Sequence, residues 1–387
     1  MGGGGGGVSK SDWQSKPLAD VCQIKPPKAE ARQRISGKAL VSFVPMEDLG
    51  IDQKIMVPTQ TRPLEDVAGS YTYFADGDVL LAKITPCFEN GKLGIADNLT
   101  NGIGFGSSEY IVFRPSPAVD KEWLYYFLSR ESFRTGGAER MSGAVGHKRV
   151  SKEFIESYPI PVPPLPEQQR IVAILDEAFD GIATAKANTE KNLQNARALF
   201  ESHLQSVFTE RGEGWVEKPL GECFRLKSGD GLTSKAMKAG AFPVFGGNGI
   251  AGTHDEFNLS GDNVIIGRVG ALCGNARHII GKIWLTDNAF KVVDYCHEFD
   301  GAFLTYLLNY KNLRSYARQA AQPVISNSSL RDLVLQFPVL AEQQRIAASF
   351  DVLLKETQRL ESLYQRKLTA LDDLKKFLLH QAFSGQL

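Results

Sequence analysis

Histidines, cysteines and glycine-rich segments are the residues of this chain that could carry chemistry, and their spacing fits none of the common sites. The six histidines show no His-Glu-x-x-His pattern or other metal-ligand spacing. The five cysteines include no Cys-x-x-Cys pair, and their odd number indicates reduced thiols in a cytoplasmic protein. Residues 90–93 lack the upstream glycine and the Ser/Thr of a phosphate loop, and residues 102–106 do not lie at a strand-to-helix turn. These residues predict no metal or nucleotide site.

Catalytic tetrapeptides are also missing. Amino-methyltransferases hold a flipped base with Asn-Pro-Pro-Phe or Asp-Pro-Pro-Tyr, and neither occurs here. We therefore predict no catalytic residue and no metal ligand in this chain. The 387 residues carry 44 basic and 44 acidic side chains, a balance that by itself argues against general nucleic-acid binding. No apolar run approaches the roughly 18 residues of a membrane span, so no membrane partner is expected.

An internal repeat organises the chain. Glu-Gln-Gln-Arg-Ile at residues 167–171 recurs at 342–346, and the offset of 175 (342 minus 167) holds without a gap over about forty further residues. Chance similarity between two helices would match apolar residues, but it would not reproduce a polar pentapeptide. Earlier in each copy, residues 79–84 resemble 264–269, with four aliphatic residues and one basic residue in register. The chain therefore contains two copies of one plan, each a globular unit followed by a long helix.

Apolar spacing predicts the two long helices. After Pro166, and in the matching second segment, apolar residues recur in alternating steps of three and four, as in a coiled-coil seam. Both copies interrupt this alternation at the same place, around Thr189 and Tyr364, which predicts that the helices pair with each other. About 40 residues at 1.5 Å each give roughly 60 Å per helix. Residues 158–166, which are rich in proline, should form a stiff extended lead-in.

The globular units are predicted to be α+β, with sheets of mixed character. Strand signals occur at 78–84, 103–106, 110–113, 242–245, 263–269 and 290–293. Each unit ends in a short aromatic helix, at 121–129 and at 301–309. The predicted boundaries are a flexible glycine tail at 1–10, a first globular domain at 11–158, the proline connector and first long helix at 159–211, a second globular domain at 212–337, and a second long helix at 338–387.

This organisation resembles the specificity (S) subunit of type I restriction-modification systems. Both units open with Trp-x-x-Lys-Pro-Leu, at Trp13 and Trp215, and lead through Pro-x-Leu-x-Glu-Gln-Gln-Arg-Ile into a long helix. Residues 242–250 and 267–275 are similar to segments common in that family's target-recognition domains. The first unit departs from this pattern, with Lys-Ile-Thr-Pro-Cys starting at Lys83 where the second has Arg-Val-Gly.

The resemblance implies a fold and a role. Each globular unit would be a target-recognition domain that reads one half of a split double-stranded DNA site, and the two helices would pack antiparallel as a spacer. Because the two domains differ, the bipartite target would be asymmetric. The helices would dock two modification subunits, which bind S-adenosylmethionine and methylate adenine, and restriction subunits would join them. S-adenosylmethionine, ATP and Mg are expected on these partners, with no cofactor and no chemistry in this chain.

Any DNA-contacting surface must be local, because no segment is basic overall. Such surfaces use Arg or Lys for phosphate and guanine, and Asn or Gln for adenine. Candidates in the first domain are Lys25, Lys28, Arg32, Arg34 and Lys38, with Lys148 and Arg149 in a loop. Candidates in the second domain are Arg225, Lys227, Lys235 and Lys238, expected to cluster in a loop rich in Gly and Ser next to Asn248.

The repeated helix starts allow two interpretations. Glu167, Gln168, Gln169 and Arg170, with Glu342, Gln343, Gln344 and Arg345, could dock subunits or join each domain to its helix. The duplication favours a structural junction, with docking nearby. One alternative for the whole chain is a coiled-coil adaptor that binds proteins only. Another, a self-sufficient methyltransferase, is disfavoured by the absent tetrapeptides.

Overall fold

The computed structural model describes residues 13–144, 146–318 and 322–387, which form two compact units. Unit 1 contains the chain up to Asn188 together with residues 367–387, and unit 2 is residues 189–366. The glycine tail predicted at 1–10 lies outside the described residues. Within the described part of the chain, no helix is long and apolar enough to cross a membrane.

Unit 1 holds a domain with two four-stranded sheets and a two-stranded ribbon. Its strands are β1 (Gln14–Pro17), β2 (Cys22–Ile24), β3 (Leu40–Val44), β4 (Gln60–Pro63), β5 (Thr72–Ala75), β6 (Val79–Ala82), β7 (Leu93–Ile95), β8 (Ile103–Gly106), β9 (Tyr110–Pro115) and β10 (Pro159–Val162). Its short helices are α1 (Leu18–Val21), α2 (Ala29–Arg34), α3 (Leu64–Val67), α4 (Lys121–Ser129), α5 (Glu131–Ala138) and α6 (Lys152–Ser157). The strand orders are β2-β9-β6-β7 and β4-β3-β8-β5, and β3–β8 is a parallel pair between otherwise antiparallel neighbours.

Unit 2 holds a domain with a four-stranded sheet, a three-stranded sheet and a ribbon. After the long helix α7 (Leu165–Glu210), its strands are β11 (Val216–Pro219), β12 (Arg225–Ser228), β13 (Phe242–Gly246), β14 (Gly249–His254), β15 (Asp262–Gly267), β16 (Ala276–Ile280), β17 (Trp284–Leu285), β18 (Ala289–Val293) and β19 (Val334–Phe337). Its short helices are α8 (Leu220–Cys223), α9 (Gly301–Tyr310) and α10 (Asn327–Leu330), and the long helix α11 (Leu340–Phe383) follows. The sheet orders are β12-β18-β15-β16 and β14-β13-β17.

A two-stranded ribbon closes each domain and explains the repeated opening motif. In unit 1, β1 pairs with β10, with Lys16 opposite Ile160. In unit 2, β11 pairs with β19, with Lys218 opposite Leu335. The proline of each Lys-Pro-Leu ends its strand directly before a one-turn helix, where its missing N–H removes no helical hydrogen bond, and the following leucine is buried. The ribbon thus ties the start of each domain to the strand that leads into its long helix.

The long helices are α7, with 46 residues, and α11, with 44 residues, or about 69 and 66 Å. Residues of the predicted seam are buried or half-buried, including Thr189 and Tyr364, where the alternation of three and four is interrupted. In unit 1, Lys186 on α7 pairs with Asp372 on α11 at 2.6 Å, and Arg170 donates to the Leu387 carbonyl. In unit 2, Arg197 pairs with Glu361 at 3.4 Å and Phe200 lies near Phe350. In each unit the two segments therefore run antiparallel, as predicted.

The end of a long helix completes the aromatic core of each domain. In unit 1, Phe383 of α11 lies 4.2 Å from Trp123, between ring centroids. In unit 2, Phe208 of α7 lies 5.8 Å from Phe303. These two phenylalanines are related by the repeat offset of 175 (383 minus 208). The predicted α+β class is confirmed, and α4 begins and ends where the aromatic pattern predicted it.

Candidate nucleic-acid interface

Five basic side chains of unit 1 lie close enough for their charges to act on each other. The pKa of Lys28 is lowered mainly by partial burial and, to a smaller extent, by the neighbouring positive charges of Lys25 and Arg32. Burial also lowers the pKa of Lys83, where the carboxylate of Glu109 opposes the shift and Lys25 and Arg149 add to it. Lys25 adopts a left-handed backbone with φ of 60°, which costs a non-glycine residue about 1–2 kcal/mol. A polyanion would relieve the repulsion in this group.

Glu109 is the carboxylate that contacts two of these bases. It accepts two hydrogen bonds from the Arg149 guanidinium, at 2.7 and 2.9 Å, and lies 4.0 Å from the Lys83 ammonium. The hydrogen bond from Arg149 lowers the pKa of Glu109. Backbone bridges from Arg149 to Ser142 and Ile84 hold this loop against the end of β6. Because one carboxylate contacts two cations, these three side chains together carry one net positive charge.

Three other candidates in unit 1 are exposed. Lys148 is exposed beside Arg149. Arg34 ends α2, and Lys38 lies in the loop before β3. Among the residues that the structure describes, neither Arg34 nor Lys38 shares the charge interactions that link Lys25, Lys28 and Arg32. The structure thus brings together three of the five bases predicted between Lys25 and Lys38.

Unit 2 arranges its bases differently from the prediction. Arg225 and Lys227 lie in strand β12, not in a loop, and both are exposed at the edge of the sheet. Lys227 is directly opposite Lys291 on β18. Like charges in a cross-strand pair repel each other. This edge is therefore another place where an anion would be stabilising.

The remaining unit 2 candidates are spread along one hairpin. Lys238 lies at its open end, where its N–H donates to His254 Nδ1 and its ammonium lies 3.8 Å from Asp255. Lys235 is exposed in the loop preceding β13. Asn248 is in the turn at the other end of the hairpin, and its Oδ1 accepts from the Leu272 N–H at 2.9 Å. The predicted cluster of Lys238 next to Asn248 was wrong, because the length of strand β13 separates them.

Lys83, Arg268 and Arg277 are half-buried bases that lie outside the predicted set. Lys83 and Arg268 were visible in the repeated strand segment but belonged to no basic run. Arg277 on β16 lies against Gly249, so that a Cβ added to Gly249 would stand 3.5 Å from the Nη2 atom of Arg277. Its Nη1 is buried with no hydrogen-bond partner among the described residues, and burial lowers its pKa. No sequence signal distinguishes Arg277 from an ordinary strand residue.

Gln168 and Gln343 lie at the junctions between domain and helix. Gln168 is fully buried; its Oε1 accepts from the Asp120 N–H, and its Nε2 donates to the carbonyls of Ala118 and Pro163. Gln343 is also fully buried and makes the matching bonds, to the Asp300 N–H and to the carbonyls of Glu298 and Pro338.

The isoleucine that ends each copy is also buried, whereas the arginines and the second glutamines are exposed. Glu167 pairs with Arg170 at 2.7 Å, and Glu342 pairs with Arg345 at 2.6 Å, both across one turn of helix. Gln169 and Gln344 are exposed. Each copy of the motif therefore combines a buried structural glutamine with a small exposed polar surface.

A second repeated contact fastens each short aromatic helix to its long helix. The Tyr126 hydroxyl donates to Asp176, and the Tyr306 hydroxyl donates to Asp351 at 2.6 Å. In unit 1, the Lys54 ammonium also bonds Asp176 at 2.7 Å and Glu122 at 3.2 Å. Within the described ranges, no three His, Cys, Asp or Glu side chains are grouped so as to hold a metal ion.

Comparison with known proteins decides the family. A family model described as the type I restriction modification DNA specificity domain matches residues 10–195 and again residues 212–369. The chain belongs to this family. The specificity subunit of the type I restriction enzyme EcoAI from Escherichia coli is 37% identical over 210 residues, which cover 53% of this chain and 35% of that subunit.

Two solved structures share the fold over nearly the whole chain. A chain from the structural study of complex assembly and conformational transition of the type I R-M system superimposes with a TM-score of 0.77 at 19% identity, covering 97% of this chain and 98% of its own. The HsdS subunit from Thermoanaerobacter tengcongensis superimposes with a TM-score of 0.67 at 20% identity, covering 97% of both chains. The matches to the EcoAI and EcoEI subunits of Escherichia coli, by contrast, span about a third of those relatives, 35% and 32% of their length.

Proposed function

We propose that this chain is the DNA-binding specificity subunit of a type I restriction-modification complex and reads an asymmetric bipartite site. The observation that carries the proposal is that the DNA specificity domain occurs twice, with different side chains on the candidate faces. Unit 1 presents Lys25, Lys28 and Arg149, whereas unit 2 presents Arg225 and Lys227 on a strand edge. Different surfaces on one scaffold favour different half-sites.

The partners follow from the duplication. Two modification subunits would bind S-adenosylmethionine and methylate adenine, and restriction subunits that use ATP and Mg would cleave, while this chain would carry out no chemistry. Each unit offers the same exposed residues at its junction, Gln169 with Arg170 and Gln344 with Arg345. Two equivalent surfaces favour two copies of one partner.

The neutral charge of the chain bears on affinity. With 44 basic and 44 acidic side chains, only local faces attract phosphate, and binding by the isolated chain should be modest. Partner subunits that enclose the duplex and add basic surface would raise the affinity.

Selection from a random-sequence duplex library tests the proposal. The full chain with its modification subunit is bound to the library at low salt, and retained duplexes are separated in gel-shift experiments and sequenced. We expect enrichment of a two-part motif with a fixed spacer. A protein-only adaptor would enrich nothing, and that result would overturn the proposal. The modification subunit alone is the control and should select no such motif.

A further inference from the structure

Lys83 and Arg268 occupy matching positions in the two domains. Each follows directly after the third strand in the order of its four-stranded sheet, β6 in unit 1 and β15 in unit 2. The Lys83 N–H donates to the Glu109 carbonyl and its carbonyl accepts from Val150, at 2.9 and 3.0 Å. The Arg268 N–H donates to the Asn288 carbonyl and its carbonyl accepts from Ile325, both at 2.9 Å. The backbone is therefore held in the same way in both domains.

Their charged ends are held in the same way too. The Lys83 ammonium donates to the Ser108 carbonyl at 3.0 Å, and Ser108 directly precedes Glu109, whose carbonyl accepts from the Lys83 backbone N–H. The Arg268 guanidinium contacts the Asp287 carbonyl at 3.3 Å, again one residue before the backbone acceptor. Both side chains are half-buried, so little rotamer freedom is left to lose on binding an anion. Each domain thus presents one preorganised cation at the same place on its scaffold.

The surroundings leave both cations incompletely neutralised. Glu109 lies 4.0 Å from Lys83 but is bonded more closely by Arg149. The contacts of the Arg268 guanidinium with the Ser228 hydroxyl at 3.4 Å and the Asp287 carbonyl at 3.3 Å are to uncharged groups, and its buried Nε has no hydrogen-bond partner among the described residues. The head of Arg268 also lies 5.4 Å from the Phe290 ring, which favours a cation held in place.

Features common to the two domains should contact what is common to the two half-sites. Base edges differ between the halves of an asymmetric target, whereas the phosphodiester backbone is the same in both. A phosphate group can pair with the compact charge of a lysine ammonium or with two parallel N–H groups of an arginine guanidinium. We propose that Lys83 and Arg268 are paired backbone-phosphate contacts, one per domain, that position each domain without selecting its sequence. This inference rests on the proposed DNA-binding function.

Salt titration of charge-removing variants tests the inference. Lys83→Gln, Arg268→Gln and the double variant are made in the full chain with its modification subunit, and affinity is measured between low and physiological salt. One lost phosphate contact should flatten the slope of log K against log salt by about 0.9, and the double variant by about 1.8. Affinity should fall by the same factor for the selected duplex and for duplexes with one mismatched half-site. The motif chosen from a library should not change.

Charge-preserving variants separate this role from a structural one. Lys83→Arg and Arg268→Lys should restore the wild-type slope. Lys121→Gln and Lys282→Gln are matched controls that remove one charge per domain. Lys121 lies 3.8 Å from Asp97, and Lys282 is exposed over the Phe257 ring. Both control variants should leave the salt slope unchanged. Urea denaturation checks that each variant folds.

Two outcomes would overturn the inference. An unchanged slope in the folded glutamine variants would show that neither residue contacts phosphate, and relaxed selection at one half-site would show a base contact instead. The proposed function fails separately, if the wild-type complex selects no two-part motif. The salt slopes can also be measured on non-specific duplex, so they test the phosphate contacts whether or not the complex selects a two-part motif.

Discussion

At the scale of single residues, the two neighbouring glutamines of the repeated Glu-Gln-Gln-Arg-Ile motif have different roles. The first glutamine of each copy, Gln168 or Gln343, satisfies three backbone groups that would otherwise be buried without partners. An unsatisfied buried polar group costs about 1–3 kcal/mol. The second glutamine, Gln169 or Gln344, is exposed and free to contact another molecule.

Alanine substitutions at the two adjacent glutamines should therefore differ. Gln168→Ala removes a donor and an acceptor from a buried junction, and we expect the free energy of unfolding to fall by about 2–4 kcal/mol. Gln169→Ala, the matched control, should change it by less than about 0.5 kcal/mol. Urea denaturation of the full chain measures both. Equal effects of the two substitutions would contradict the junction role of Gln168.

At the scale of elements, each long helix has two functions along its length. Its first turns carry the junction glutamine, and its last turns supply the aromatic residue that completes a domain core. In unit 1, Phe383 packs on Trp123 and Phe127, and Arg130 stacks 3.9 Å above the Phe127 ring. In unit 2, Phe208 packs on Phe303 and Tyr310. The helix ends are thus part of the folded domains.

Truncating the phenylalanine at a helix end should destabilise one domain. Phe383→Ala removes a side chain that is 9% exposed, so unit 1 should lose about 3–5 kcal/mol of stability. Hydrogen exchange followed by mass spectrometry should show faster exchange in residues 13–157 and little change in 216–337. Phe377→Ala on the same helix is the control, because that side chain is 56% exposed. Uniform loosening of both domains would contradict the assignment of Phe383 to the unit 1 core.

At the scale of the whole molecule, the proposed function gives the paired helices the role of a spacer between the half-sites. Inserting four residues after Asn188 and four after Arg366 adds about 6 Å to each helix. We expect the spacer of the selected DNA motif to lengthen by one to two base pairs, at roughly 3.4 Å each, with both half-sites unchanged. Library selection with the altered complex measures this. A change in the half-site sequences with a constant spacer would show that the helices take part in base recognition.

The amino-acid sequence alone determined the internal repeat, the two long helices, their pairing and the α+β class. These follow from patterns that repeat along the chain, because a coiled-coil seam and a duplicated pentapeptide can be recognised without knowing any distant contact. The short aromatic helices were predictable for the same reason, since a cluster of apolar residues follows an aspartate that caps the helix in both copies.

Only the tertiary structure decided which polar residues act together. Lys83 and Arg268 are in register in the repeated strand segment but lie outside every basic run, and only the fold shows that loops 25 and 19 residues away place the Ser108 and Asp287 carbonyls beside their charged ends. Asn248 and Lys238 are close in sequence, yet a hairpin holds them at opposite ends. Charges at a binding face are brought together by strand pairing and loop closure, and these are long-range contacts that spacing along the chain does not encode.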